Sequence, residues 1–263
     1  MSHRPYDTNL TDQQWSIISP LFPTYRGRGR PMTLEWRGIL DAILYVLRTG
    51  CQWRNLPHDF PKWQSVYHHF RHFAKDGTWV PINETLRKQE RESRGRQAEP
   101  TGAILDTQSV KTTEVGGPKG YDAGKKVHGR KRHVLTDTVG NLLAVVVNAA
   151  NTSDRQGAKA LFEHLSIQTK ISLKKIWADG GYSGQPFLSW IHETLQATLE
   201  ITYRPPNEDG FVVVPVRWVV ERTLAWLNRS RRLSKDYEGC PRSSEGMIYL
   251  ASIVTMLKRL SSS

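Results

Sequence analysis

The spacing of apolar residues divides the chain into two parts. Residues 1–95 repeat at helical intervals. Thr11 and Gln14 form a capping-box pattern that opens a short helix with Trp15, Ile18 and Phe22 on one side, closed by Pro20 and Pro23. Thr33 is expected to cap a second helix, in which Trp36, Ile39, Leu40, Ile43, Leu44 and Leu47 make a broad apolar stripe ending before Gly50. That stripe is core. After the turn-rich residues 55–61, a third helix is expected from Trp63 to Ala74. It packs Trp63, Val66, Tyr67, Phe70 and Phe73 inward and leaves His68, Arg71, His72 and Lys75 outside. Residues 88–100 turn polar and highly charged, which sets the expected boundary between domains 1–95 and 96–263.

Beyond that boundary the period changes. Residues 103–106, 130–136 and 142–147 read as strands, the last two joined by a polar turn. A helix over residues 154–165 follows, with Ala158, Leu161, Phe162 and Leu165 at helical spacing. Then come a strand over 175–179, a helix over 186–195, a strand over 197–203 and a helix over 215–235. A packing helix over 243–260 closes the chain. Strands followed by alternating helices and strands indicate an α/β domain with a mixed sheet, here preceded by an all-helical part.

A net charge of +12 over 263 residues favours an anionic partner, nucleic acid or a charged membrane surface. No stretch approaches the ~20 apolar residues of a membrane span, and residues 1–7 lack the apolar core of a signal peptide, so no membrane role and a cytoplasmic protein are expected. Cys51 and Cys240 match no metal-binding spacing and read as reduced thiols.

The basic residues are grouped. Arg26, Arg28 and Arg30 alternate with glycines, the composition of an arm that follows a phosphate backbone or enters a minor groove; a plain solvated loop fits equally well. The basic outer face of the third helix (His68, Arg71, His72, Lys75) gives the first part the look of a helix-turn-helix module. His68 and His72 have the spacing of a helical metal pair, but His69 stands where a metalloprotease needs glutamate and no third ligand is apparent. They read as DNA-facing or structural. Lys119, Lys125, Lys126, Arg130, Lys131 and Arg132 are suited to phosphates, since Asp122 is the one acid among them.

On the helix over 215–235, Val219, Val220, Trp226, Leu227 and Leu233 share one side, and Arg217, Glu221, Asn228 and Arg232 the other. Glu221 stands alone among Arg217, Arg222, Arg229, Arg231, Arg232 and Lys235. So one-sided a face costs stability unless something anionic offsets it.

Asp106 and Asp179 each end an apolar strand, where ligands gather in α/β sheets. Asp137 and Asp154 fit a hairpin turn and a helix start, and Glu208, Asp209, Asp236 and Glu238 read as loop charges. Asp106, Asp179 and Glu221 remain as one cluster. All-carboxylate ligands suit Mg²⁺ or Mn²⁺, and two such ions can drive phosphodiester chemistry.

Residues 104–110 (ILDTQSV), 125–132 (KKVHGRKR), 178–184 (ADGGYSG) and 217–226 (RWVVERTLAW), with 10–15 (LTDQQW) and 50–57 (GCQWRNLP), resemble bacterial insertion-sequence transposases of the DDE class, close to the insertion-sequence-five group. The resemblance covers almost the whole chain. It implies a ribonuclease H-like catalytic domain with Asp106 on the first strand, Asp179 on the fourth and Glu221 on the following helix. The chain departs from the family pattern Y-x2-R-x3-E-x6-K. Val214 takes the tyrosine place and Asn228 the lysine place, while Arg217 and Glu221 match; Arg232, by helical angle, is a candidate substitute for the lysine. The short interval 180–220 leaves little room for the extra β-domain of some relatives.

The resemblance implies a transposase. Its N-terminal helices recognise terminal inverted repeats in double-stranded DNA. Its metal cluster frees 3′-hydroxyl ends and directs them at target DNA, with Arg217, Arg229 and Arg232 on phosphates near the cleaved end. Joining two ends implies a homodimer on the DNA, and a site of action at the bacterial nucleoid. Two other readings stay open: a nuclease of the same fold that cuts without strand transfer, and a transposase-derived protein, such as a repressor, that binds DNA without catalysis.

Overall fold

Residues 6–22, 35–203 and 216–262 are described by the computed structural model, and Arg26, Arg28, Arg30, Thr33 and Val214 lie outside them. The chain starts with α1 (Asp12–Ile18), in which Thr11 accepts from the Gln14 N–H and the Gln14 side chain accepts from the Thr11 N–H, the expected capping box. A 3₁₀ turn at Ser19–Leu21 ends it. Next come α2 (Trp36–Thr49), stopped by Gly50 in the left-handed conformation, then α3 (Trp63–Asp76) and α4 (Trp79–Ser93). Residues 50–62 join α2 to α3, a far longer link than the ~3–4-residue turn of a helix-turn-helix.

The sheet follows. β1 (Gly102–Lys111) pairs antiparallel with the long β3 (Val127–Asp137), whose other edge holds β2 (Gly120–Asp122) and β4 (Leu142–Ala149). On the far side of β1, β5 (Lys175–Ala178) and β6 (Thr198–Ile201) continue the sheet in parallel. Parallel neighbours need crossovers. Helices α5 (Asp154–Glu163) and α6 (Ile167–Ser172) lead into β5, and α7 (Gln185–Leu195) links β5 to β6. The short α6 is a helix that periodicity missed. The mixed sheet, antiparallel on one side and parallel on the other, is ribonuclease H-like, as expected.

Alternate residues of β1 and β3 feed two cores. Leu105 and Leu135 pack with Phe162 of α5, Phe187 of α7 and Ile176. Ile104 and Val134 pack the other way, against α8 (Trp218–Leu227) and α9 (Pro241–Leu260). That second cluster continues without a break into Ile43, Phe70 and Leu86 of α2, α3 and α4. The buried run Met247, Ile248, Tyr249, Leu250 and Ala251 of α9 forms its axis.

The polar stretch expected as a linker has another role. Arg87, Glu90 and Arg91 of α4 are buried. Arg91 pairs with Asp137 at 2.9 Å, and Asn83 donates to the Leu142 carbonyl at 2.8 Å. Glu90 accepts from Asn141 at 2.6 Å and pairs with Arg94 and Arg259. Charged residues on α4 therefore clamp the helical part onto the β3–β4 turn, and the two parts share one core.

Four residues expected on DNA are interior. Arg130, 1% exposed, donates to Asp236, to the Glu238 and Pro118 carbonyls and to Ser244. Arg132, also 1% exposed, donates to Gln108 and the Leu233 carbonyl. Arg232 is held by Glu238 at 2.7 Å and the Cys51 carbonyl at 3.2 Å. Their charge is spent on Asp236 and Glu238, which are buried partners and not loop charges. Lys131 is likewise buried, on Asp154 and Asp122. These four are corrected from phosphate contacts to structural cations.

The helix expected over 215–235 is also shorter. It ends at Leu227 with Asn228 as C-cap, and Arg231–Leu233 form a separate 3₁₀ turn against α2. The helical line carrying Arg217 and Glu221 therefore does not continue to Arg232.

Candidate active site

Register brings the first two acids together. The parallel pairing of β1 and β5 matches Ile104 with Trp177. Two residues further along each chain stand Asp106 and Asp179, so they leave the end of the pair side by side, and Ile104 and Trp177 both belong to the core on the α8 side. Asp106 is buried and accepts the Thr107 N–H at 2.7 Å. Asp179 caps the 3₁₀ turn Gly180–Tyr182, accepting the Gly181 N–H at 2.9 Å.

The third acid arrives on α8, which lies against β1 and β3. Arg222 and Thr223 staple that helix to the β3–β4 turn by donating to the Val139 and Gly140 carbonyls, at 2.8 and 2.9 Å. Gly140 permits the approach, because a Cβ there would meet the Thr223 hydroxyl at 2.9 Å. Glu221, half-buried, faces Arg217 one turn earlier at 3.5 Å. Arg222 lies over the Trp218 and Trp226 rings, 4.6 and 4.5 Å from their centroids, and Arg259 also lies over Trp226, at 4.8 Å, so Trp226 forms part of a stacked edge.

The electrostatics tie the group together. Burial raises the Asp106 carboxyl to about 6; the Thr107 N–H and Arg217 oppose this, and the negative charge of Asp179 adds to it. Arg217 thus influences Asp106 while contacting Glu221. Lys125 also favours the Asp106 carboxylate, and its Nζ donates to the Thr107 carbonyl at 2.7 Å. Among the described residues no three His, Cys, Asp or Glu side chains close on a single metal-sized point, so the three acids do not form an assembled cage. Their chemistry nonetheless fits a hard divalent cation: the donors are carboxylate oxygens, and a buried acid beside a second acid has charge for a cation to offset.

The other expected DNA contacts divide by exposure. Lys119, Lys125 and Lys126 are exposed before and within the β2–β3 connection, with Lys125 in electrostatic reach of Asp106. Arg229 is exposed, past the end of α8. His68, Arg71, His72 and Lys75 are exposed on α3 and line an open groove of about 770 Å³. Its far wall is Cys240, Arg242 and Ser243, from the start of α9. Arg242 went unnoticed in the sequence because nothing local brings residue 242 to α3. Cys51 and Cys240 are both free. No helix among the described residues is long and apolar enough to cross a membrane.

Comparison with known proteins identifies the family. Residues 10–83 match a family described as provisional transposases of the IS4/5 family. Residues 97–257 match the family described as the transposase DDE domain. An uncharacterized 16.2 kDa protein of insertion element IS402 from Burkholderia cepacia is 29% identical over 41% of this chain and 76% of its own length. A provisional transposase for insertion sequence element IS402, from the same organism, is 27% identical over 46% of this chain and 59% of its own length. Among solved structures, a pre-cleavage Mos1 transpososome overlaps 91% of this chain and 80% of its own at 12% identity and a TM-score of 0.26, too loose an overlap to constrain the site. The family match spans the strands and helix that carry all three acids, and the chain belongs to the DDE transposases of the IS4/5 family.

Proposed function

We propose that Asp106, Asp179 and Glu221 are the acids of the DDE centre, and that they hold Mg²⁺ or Mn²⁺, two ions in the working complex. DDE transposases are divalent-metal-dependent enzymes that cut and join DNA. When bound, the ions activate the attacking hydroxyl and stabilise the leaving oxygen. In the first step water attacks the phosphorus at an element end, and the 3′-oxygen leaves as a free hydroxyl. In the second, that hydroxyl attacks a phosphodiester of target DNA and displaces its 3′-oxygen, so one phosphodiester replaces another.

The observation that carries this reading is the level register of Asp106 and Asp179 where β5 ends beside the middle of β1, on the sheet face that α8 covers. Arg217, between Asp106 and Glu221, is suited to a phosphate oxygen of the reacting strand. Lys119, Lys125, Lys126 and Arg229 supply further phosphate contacts. The groove of His68, Arg71, His72 and Lys75 holds the terminal inverted repeat, and Arg26, Arg28 and Arg30 follow its backbone. Residues 1–95 thus serve end recognition and residues 96–263 catalysis. Two copies bring two ends together, in the bacterial cytoplasm at the nucleoid.

The test is a duplex carrying the short inverted repeats that flank the gene. The full chain should nick it at the repeat boundary with Mg²⁺ or Mn²⁺ and should be silent in chelator. Cleavage without joining to a target duplex would favour the plain nuclease.

A further inference from the structure

Asp154 opens α5, and a helix-start acid needs no further explanation. Its neighbours supply one. Lys131, buried in β3, donates to Asp154 Oδ1 at 2.8 Å and to the Thr152 carbonyl at 3.1 Å. No donor among the described residues meets Asp154 Oδ2. That oxygen faces the turn that carries Asp179. A Cβ on Gly181 would lie 3.0 Å from Asp154 Oδ2 and 3.1 Å from Asp179 Oδ1. The two carboxylate oxygens flank one empty point and stand no more than about 6 Å apart.

A second feature points to a ligand. The Tyr182 ring is fully buried, and its hydroxyl makes no hydrogen bond of full geometry, although Thr107 lies beside it. The same hydroxyl lies within electrostatic reach of Asp154, Asp106 and Asp179. A buried phenol with only Thr107 beside it, among three acids, keeps hydrogen-bonding capacity for a polar occupant. Metal-binding carboxylates are regularly oriented by such outer partners.

We propose that Asp154 is a fourth acid of the catalytic centre, a positioning residue whose Oδ2 reaches the cation at Asp179 through a water shared with the Tyr182 hydroxyl. Lys131 fixes its orientation by holding Oδ1. The proposal rests on the reading of Asp179 as a metal-holding acid. The sheet places Asp154 on the α5 side and Asp106 on the α8 side, so the cation is approached from both faces where β5 stops beside β1.

The experiment titrates Mn²⁺ into the full chain without DNA and follows free Mn²⁺ by electron paramagnetic resonance. Asp154→Asn should weaken Mn²⁺ binding by about 10–100-fold, with the melting curve in chelator close to wild type. Asp154→Glu should recover part of the affinity, and Tyr182→Phe should lose less than Asp154→Asn. Asp154→Asn binding within about twofold of wild type, while Asp106→Asn has lost the ion, would overturn the proposal and leave the catalytic reading standing. A wild-type chain with no Mn²⁺ binding would overturn both. Should Asp154→Asn fail to fold, the pair Lys131→Met with Asp154→Asn removes both charges of the ion pair and is judged by the same two outcomes.

Discussion

Arg232 donates from Nε to Glu238 at 2.7 Å, and both side chains are 7% exposed. The same guanidinium reaches the Cys51 carbonyl and lies over Trp53, joining the segment after α8 to the helical part. Breaking a buried pair from one side leaves the other charge stranded. Arg232→Met should therefore lower unfolding free energy by about 3–5 kcal/mol, measured by denaturant titration. Adding Glu238→Gln to it should recover a large share. An Arg232→Met protein of normal stability that has lost DNA affinity would return Arg232 to the DNA surface.

Arg217 stands differently. Its contact with Glu221 is 3.5 Å long and only partly buried, which makes it a weak brace. Arg217→Ala should slow single-turnover cleavage by about 10²–10³-fold, the scale of losing one preorganised donor, with a small change in melting temperature. A large fall in melting temperature with normal chemistry in the folded fraction would make Arg217 structural.

Glu245 gives the fold a pH dependence unconnected with catalysis. It accepts the Val147 N–H at 2.8 Å, and burial pushes its carboxyl up to about 7, against the pull of that N–H and of Arg242. The folded state therefore keeps a proton that the unfolded chain releases near pH 4.5. Stability should fall as pH rises from there to about 7, by roughly 3 kcal/mol, and level off above. Glu245→Gln keeps an acceptor for Val147 and should flatten that slope. An unchanged slope would exclude Glu245 as its source.

The α3 groove makes a salt-dependence prediction. Arg71→Ala, Lys75→Ala and Arg242→Ala should each weaken binding to repeat DNA and lower the slope of log affinity against log salt by about 1. Arg130→Met should leave the slope of its folded fraction unchanged, since Arg130 is spent on Asp236.

Much of this was legible in the sequence, because local patterns carry local structure. The Thr11 capping box, the Gly50 stop and Asp179 at the end of β5 all rest on a few adjacent residues, whereas Asp106, expected to end its strand, lies in the middle of β1, which runs on to Lys111. The misreadings share a cause. Arg130 and Arg132 look like a phosphate run because their partners, Asp236, Glu238 and the Leu233 carbonyl, are about a hundred residues away in the chain. Residues 88–100 look like a linker because α4 buries charges against Asp137 and Asn141, which no periodicity anticipates. The helix over 215–235 looked continuous because apolar spacing persists through Leu233, although the backbone turns after Asn228.

The most direct measurement is cleavage of a repeat-bearing duplex by Asp106→Asn, Asp179→Asn and Glu221→Gln, each alongside its binding to the same duplex in chelator. The register that sets Asp106 beside Asp179, and the docking of α8 on β1 and β3, support the proposal that all three serve one centre. Each variant should retain specific binding and lose cleavage to background. Near wild-type cleavage by any one of them would contradict that assignment.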